Sequence, residues 1–119
     1  MAFHSIGPYV QVVTAGAPVR VTSGTSAPSL RVVAHTLFIQ QHAANTGKLY
    51  LLDRPNGDKS TGLGVLATIP APTLSGGVAV ILPWVAYTLP YAPGGANIAD
   101  YYLDADVSGS FATVAIVRG

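Results

Sequence analysis

Nine prolines and thirteen glycines interrupt this chain at short intervals, and between them lie brief segments rich in Val, Ile, Leu, Tyr and Thr. Proline fixes φ and removes a backbone donor, and glycine opens the left-handed turn conformations, so each marks a place where a strand stops and the chain reverses. Short β-branched segments punctuated in this way read as an all-β sandwich or barrel, and helix signals are nearly absent. A chain of 119 residues holds one domain with one core. The expectation is a single antiparallel β-sandwich, jelly-roll-like, of about eight strands over residues 9–119, preceded by an N-terminal arm at residues 1–8.

Residues 10–14 and 19–22 read as two strands separated by the turn at Ala15, Gly16, Ala17 and Pro18. In 30–41 both alternating sets are mostly apolar, which suits a central strand covered on two faces. Asn45, Thr46 and Gly47 turn the chain into a return strand at 49–52. The segment 54–64, with Pro55, Asn56, Gly57, Asp58 and Lys59, reads as a solvated loop. Strands are expected at 65–69, at 78–82 after Gly76 and Gly77, and at 85–89. The chain closes on a hairpin, 101–105 and 111–117 around Ser108 and Gly109.

Only eleven residues are charged, none of them glutamate, where a soluble domain commonly carries about a quarter. A surface built instead from Ala, Val, Thr, Ser, Gly and Tyr suggests that part of it is covered by other protein. The net charge of +1 offers no basic stripe for nucleic acid or an anionic membrane. Val78 to Leu82, the longest apolar run, is too short to span a bilayer, and residues 1–8 lack the basic and apolar blocks of a secretory signal. With no cysteine there is no disulfide or thiolate chemistry.

Catalytic and metal signals are sparse, and the expectation is no catalytic residue, no cofactor and no metal. Asp104 and Asp106 share a strand face by period two, about 7 Å apart, a spacing that acid pairs use in glycoside hydrolysis. Aspartates at strand ends are more often turn hydrogen-bonders. Asp100, Asp104 and Asp106 together are conceivable calcium ligands, although no D-x-D-x-D-G loop is present. His4, His35 and His42 are too dispersed for a metal motif, His35 reads as a partly buried strand residue, and no G-x-S-x-G elbow occurs.

Trp84, Tyr87, Tyr91, Tyr101 and Tyr102 concentrate half of the ten aromatics (one Trp, six Tyr, three Phe) near one part of the chain. Such residues favour interfaces because they bury large area with a polar handle. They read either as subunit-contact and core residues or as a sugar-stacking platform. Residues 1–8 and 89–97 lack alternation but carry apolar groups and prolines, so Phe3, Ile6, Pro8, Trp84, Tyr87 and Tyr91 are the candidate protein contacts.

Three stretches add a resemblance: Asn45-Thr46-Gly47-Lys48-Leu49-Tyr50-Leu51; Gly62 and Leu63 before a strand, a Gly-Gly turn and a further strand; and Ile98-Ala99-Asp100-Tyr101-Tyr102-Leu103-Asp104-Ala105-Asp106 before the closing hairpin. Over about residues 10 to 118 the chain resembles small β-sandwich structural proteins of tailed-bacteriophage virions, a group that includes capsid decoration or cement proteins and some neck or tail components. Leu52-Asp53 departs from the glycine usual after the NTG strand. The resemblance implies a cofactor-free decoration protein on the capsid surface of a virion, with the major capsid protein and sister copies, as a homotrimer, for partners. A tail or neck component, a carbohydrate-binding module and a small hydrolase are the alternatives.

Overall fold

The computed structural model describes residues 2–5, 9–23, 33–89 and 96–118. Within them the chain forms short antiparallel strands and a single 3₁₀ turn, Ile98–Asp100. Alternation sets which side of each strand faces inward. In β5 (Thr36–Gln41), Leu37, Ile39 and Gln41 are buried while Thr36, Phe38 and Gln40 are half-buried. In β2 (Val10–Val12), Val10 and Val12 point in and Gln11 points out.

Five strand pairs nest inside one another. β2 pairs with β13 (Ser110–Arg118), β3 (Val19–Arg20) with β12 (Tyr102–Ala105), and β4 (Val33–Ala34) with β11 (Ala96–Asn97). Inside these, β5 pairs with β10 (Trp84–Thr88), and β6 (Leu49–Leu52) with β7 (Val65–Ile69). The chain is thus a long antiparallel ribbon doubled on itself. Rolled up, the ribbon splits into a large sheet, with β13 between β2 and β5 and with β10 at its edge, and a small sheet in the order β3-β12-β6-β7. This all-β antiparallel sandwich is the fold class expected from the sequence, built among the described residues from thirteen short strands where about eight were expected.

The core lies between the sheets. Val10, Val12, Leu37, Ile39, Val114 and Ile116 of the large sheet meet Leu49, Leu51, Ile69 and Leu103 of the small one. Leu89, Ile98 and Tyr101 extend the same cluster. Each such aliphatic side chain contributes roughly 1.5–3 kcal/mol on leaving water, and together they hold the sheets in register.

Several expectations change in the structure. Ala2–Ser5 is not a free arm: it forms β1, paired with Arg118 to Ala115 of its own β13, while residues 6–8 lie outside the described residues. The strand expected over 30–41 is divided at His35, and its first three residues also lie outside. His35 is the crossing point, half-buried as expected: its N–H donates to the Val117 carbonyl and its carbonyl accepts from Leu89 N–H, both at 2.9 Å. Residues 78–82, expected as a sandwich strand, join neither sheet. Val78–Ile81 is β9, which pairs only with β8 (Thr73–Ser75) in a hairpin between the β7 and β10 edges. Gly76 and Gly77 both hold positive φ at its tip, a turn that L-residues with a Cβ rarely make.

Candidate contact surfaces

The outward face of the large sheet carries no charge on any described side chain. One row across it runs Trp84, Gln40, Thr113, and the next runs Ala86, Phe38, Ala115. Phe38 and Trp84 lie 6.1 Å apart. Toward the other end, Tyr9, His42 and Phe111 form a ring cluster with centroids 5.1 to 5.9 Å apart. The sheet thus presents polar amides and hydroxyls among aromatic rings. Trp84, a candidate contact, stands 61% exposed at its corner.

The β8–β9 hairpin continues this uncharged surface beyond the sandwich. Leu74, Val78, Val80 and Ile81 are between 50% and 65% exposed, on both sides of the ribbon. No charged residue occurs anywhere between Lys59 and Asp100. A two-stranded ribbon alone is marginal in water, and this one leaves four large aliphatic side chains at least half exposed.

All described charged side chains lie elsewhere, on the small sheet and its connections. Arg20 is on β3, Lys48 leads into β6, Asp53, Arg54, Asp58 and Lys59 are in the β6–β7 loop, Asp100 is in the 3₁₀ turn, and Asp104 and Asp106 are in and just after β12. Their partners are local. Arg20 Nε donates to the Tyr102 hydroxyl, and that bond first and the charge of the same phenol second raise the guanidinium pKa further. Asp53, bonded by Arg54 Nε at 2.7 Å, is held below the ordinary carboxylate value, and Asp58 is lowered by its Ser60 hydroxyl and backbone partners. Tyr50, whose hydroxyl donates to Asp106 Oδ1 at 2.8 Å, has its pKa pushed up by desolvation first and by that bond second.

Asp104 differs from the other carboxylates because it is buried. Its Oδ1 accepts from Gly16 N–H at 2.8 Å and Ala105 N–H at 2.7 Å, with Lys59 Nζ 3.8 Å away. It ties the β2–β3 turn and the β6–β7 loop onto β12. Lys59 also donates to the Ala105 carbonyl and lies over the Tyr50 ring, so the loop read as a solvated tip is docked at its basic residue. A cleft of about 400 Å³ opens here, with Asp104 and Lys59 at its wall. Asp100, Asp104 and Asp106 do not converge: Asp106 is engaged by Tyr50 and Asp104 by backbone donors. Among the described residues no three acidic or histidine side chains are grouped to hold a metal ion.

The NTG turn has a structural explanation. Asn45 is buried and acts as a substitute strand for the start of β13, its Nδ2 donating to the Phe111 carbonyl at 2.5 Å and its Oδ1 accepting Phe111 N–H at 2.8 Å. It also donates to Gln41 Oε1, and Gln41 Nε2 in turn serves the carbonyls of Gly47, Ile69 and Pro70. Gly47 is required by space: a Cβ there would sit 3.0 Å from both Asp106 Cβ and Val107 Cγ2.

Of the other candidate contacts, Tyr87 is half-buried and packs against the core, so it turns inward rather than to a partner. Phe3 takes the register position opposite Val117 at the large sheet's edge. Ile6, Pro8 and Tyr91 lie outside the described residues. The hairpin was not singled out by sequence reasoning, although the unalternating run after Gly76 and Gly77 was its signal. No family model, no curated protein and no solved structure matches this chain.

Proposed function

We propose that the chain is a structural component of a tailed-bacteriophage virion, of the capsid decoration or cement type, which binds the outer shell and stabilises contacts between capsomers. The observation that carries this reading is the segregation of charge. Among the described side chains, one face and its projecting hairpin are uncharged, with aromatic and aliphatic groups beside amides and hydroxyls, while the charges gather on the other sheet and its connections, several of them with partners of their own. Such a face loses little on leaving water and leaves no ion unpaired when covered. In the proposed arrangement the large sheet lies toward the major capsid protein and the small sheet toward solvent. The action is mechanical: many modest interfaces repeated over a shell become collectively persistent.

The test is co-sedimentation of the purified protein with emptied phage shells, with bound copies counted by densitometry. Saturation at hundreds of copies per shell is expected. Saturation at about a dozen would assign the protein to a neck or tail position, and absence of binding would remove the virion reading. The row Trp84, Gln40, Thr113 also supports a second reading, a carbohydrate-binding face, since an exposed indole beside an amide and a hydroxyl can stack on and bond a sugar ring. A shift of Trp84 fluorescence on titration with glycans would favour it.

A further inference from the structure

Among the described strands β10 ends the large sheet: β5 pairs with one side of it, no described strand pairs with the other, and β7 of the small sheet comes near it without pairing. The ladder to β5 includes the bonds from Gln41 N–H to the Pro83 carbonyl and from Leu89 N–H to the His35 carbonyl. Odd-numbered residues of β10 therefore face β5, and the N–H and C=O groups of Trp84, Ala86 and Thr88 point away from the sheet. No described residue pairs with them. Protected edges carry lysine, proline or a bulge, and Trp84–Thr88 has none of these.

We infer that this edge pairs antiparallel with the same edge of a second copy, about a two-fold axis through Ala86. In that register Trp84 faces the partner's Thr88, Ala86 faces the partner's Ala86, and every outward donor meets an acceptor. The axis is where a side chain must meet its own copy, and it falls on one of the smallest side chains in the strand. Identical edges pair isologously and close at two copies, in place of the trimer expected from the sequence.

The surface beside the edge suits the same occupant. The hairpin precedes Trp84 by two residues, so antiparallel pairing brings it alongside the partner's Thr88 end. Leu74, Val78, Val80, Ile81 and Trp84 expose between 50% and 65% of their surface. Leu74 and Ile81 lie on one side of the ribbon and Val78 and Val80 on the other, so a partner on one side covers one pair together with Trp84, roughly 200–250 Å² per copy, and the strand ladder with its side chains must supply the rest of the ~1,000 Å² that a specific interface needs. Neither the edge strand nor the hairpin carries a charge, so two copies meet without repulsion or an unpaired ion.

This inference deepens the assembly reading but concerns the free protein. The test is sedimentation equilibrium of the full chain at up to about 100 µM, a range in which a specific interface of this size associates. A species of twice 12.2 kDa is expected, insensitive to salt. Because the chain has no cysteine, Ala86→Cys should cross-link to a covalent dimer on mild oxidation. Residues facing each other in a bonded pair lie about 5.5 Å apart, inside the disulfide window. Ala86→Pro, which removes only an outward N–H, and Val80→Lys on the hairpin should each raise the dimer dissociation constant at least tenfold while circular dichroism keeps its β signal. A monomer at every concentration, a three-fold species, no cross-link, or both folded variants remaining dimeric would each overturn the inference. A monomer that still decorates shells sinks this inference alone, whereas a dimer that ignores shells leaves it standing and sinks the virion reading.

Discussion

The two sheets are woven from the same kind of strand, yet their outward faces obey different rules. On the small sheet several polar groups have a specific partner, as in Arg20 with Tyr102, Tyr50 with Asp106, and buried Asp104 with two backbone N–H groups. On the large sheet the outward residues are aromatic, amide or hydroxyl side chains, and the neighbouring hairpin leaves large aliphatic groups in water. Among the described residues, side-chain charge marks the small sheet and its connections, and its absence marks the large one.

The sharpest way to break this comparison is to move a charge across it. Thr113→Lys places an ammonium on the uncharged face, and Thr68→Lys places the same group on the exposed rim of the small sheet. The first is expected to weaken shell binding by roughly 100-fold, the effect of about 3 kcal/mol for an uncompensated charge in a covered surface. The second should leave binding unchanged. Both should melt within about 0.5 kcal/mol of the parent, since neither site lies in the core.

The small sheet's charges should instead report in stability. Asp104→Ala removes the acceptor of two backbone donors and the partner of Lys59, and is expected to lower unfolding free energy by about 2–3 kcal/mol in urea titration while shell binding is kept. Asp106→Asn, at the exposed Tyr50 bond, should cost about 0.5 kcal/mol or less. Between these falls Gly47→Ala, whose Cβ must displace Asp106 and Val107, at about 1–2 kcal/mol.

Acid should give the smallest effect. Asp53 and Asp58 have folded pKa values below 3.8, so their stabilising contribution is complete above that pH and is lost as pH falls through the depressed values. Asp53 is exposed and Asp58 only half-buried, so the midpoint in urea should move only slightly before other carboxylates protonate.

Much of the fold was legible in the chain. Turn residues and period-two alternation placed the core strands, because inward and outward positions differ in polarity wherever one face is wet, but the closing hairpin expected from 101–105 and 111–117 does not form, since β12 joins the small sheet and β13 the large one. The His35 break was hidden because both faces of that segment are apolar, so no alternation marks a change of ladder. Burial of Asp104 was not legible either: its partners, the Gly16 turn and Lys59, are distant in sequence and converge only after the sheets close. The hairpin was misread for a related reason. Val78 to Leu82 has the composition of a buried strand, and only the structure shows that it joins neither sheet and that Val78, Val80 and Ile81 stay more than half exposed. Trp84 was found by composition, but Tyr87, three residues on, falls on the opposite face and packs into the core.

The central claim, that the uncharged side is the covered side, is tested most directly by hydroxyl-radical footprinting of the protein free and bound to shells. The account predicts that oxidation of Trp84, Phe38 and Phe111 falls at least several-fold on binding while Tyr50 and Tyr102 react as before. Protection of Tyr50 and Tyr102 with Trp84, Phe38 and Phe111 left reactive would place the charged sheet against the shell and contradict it.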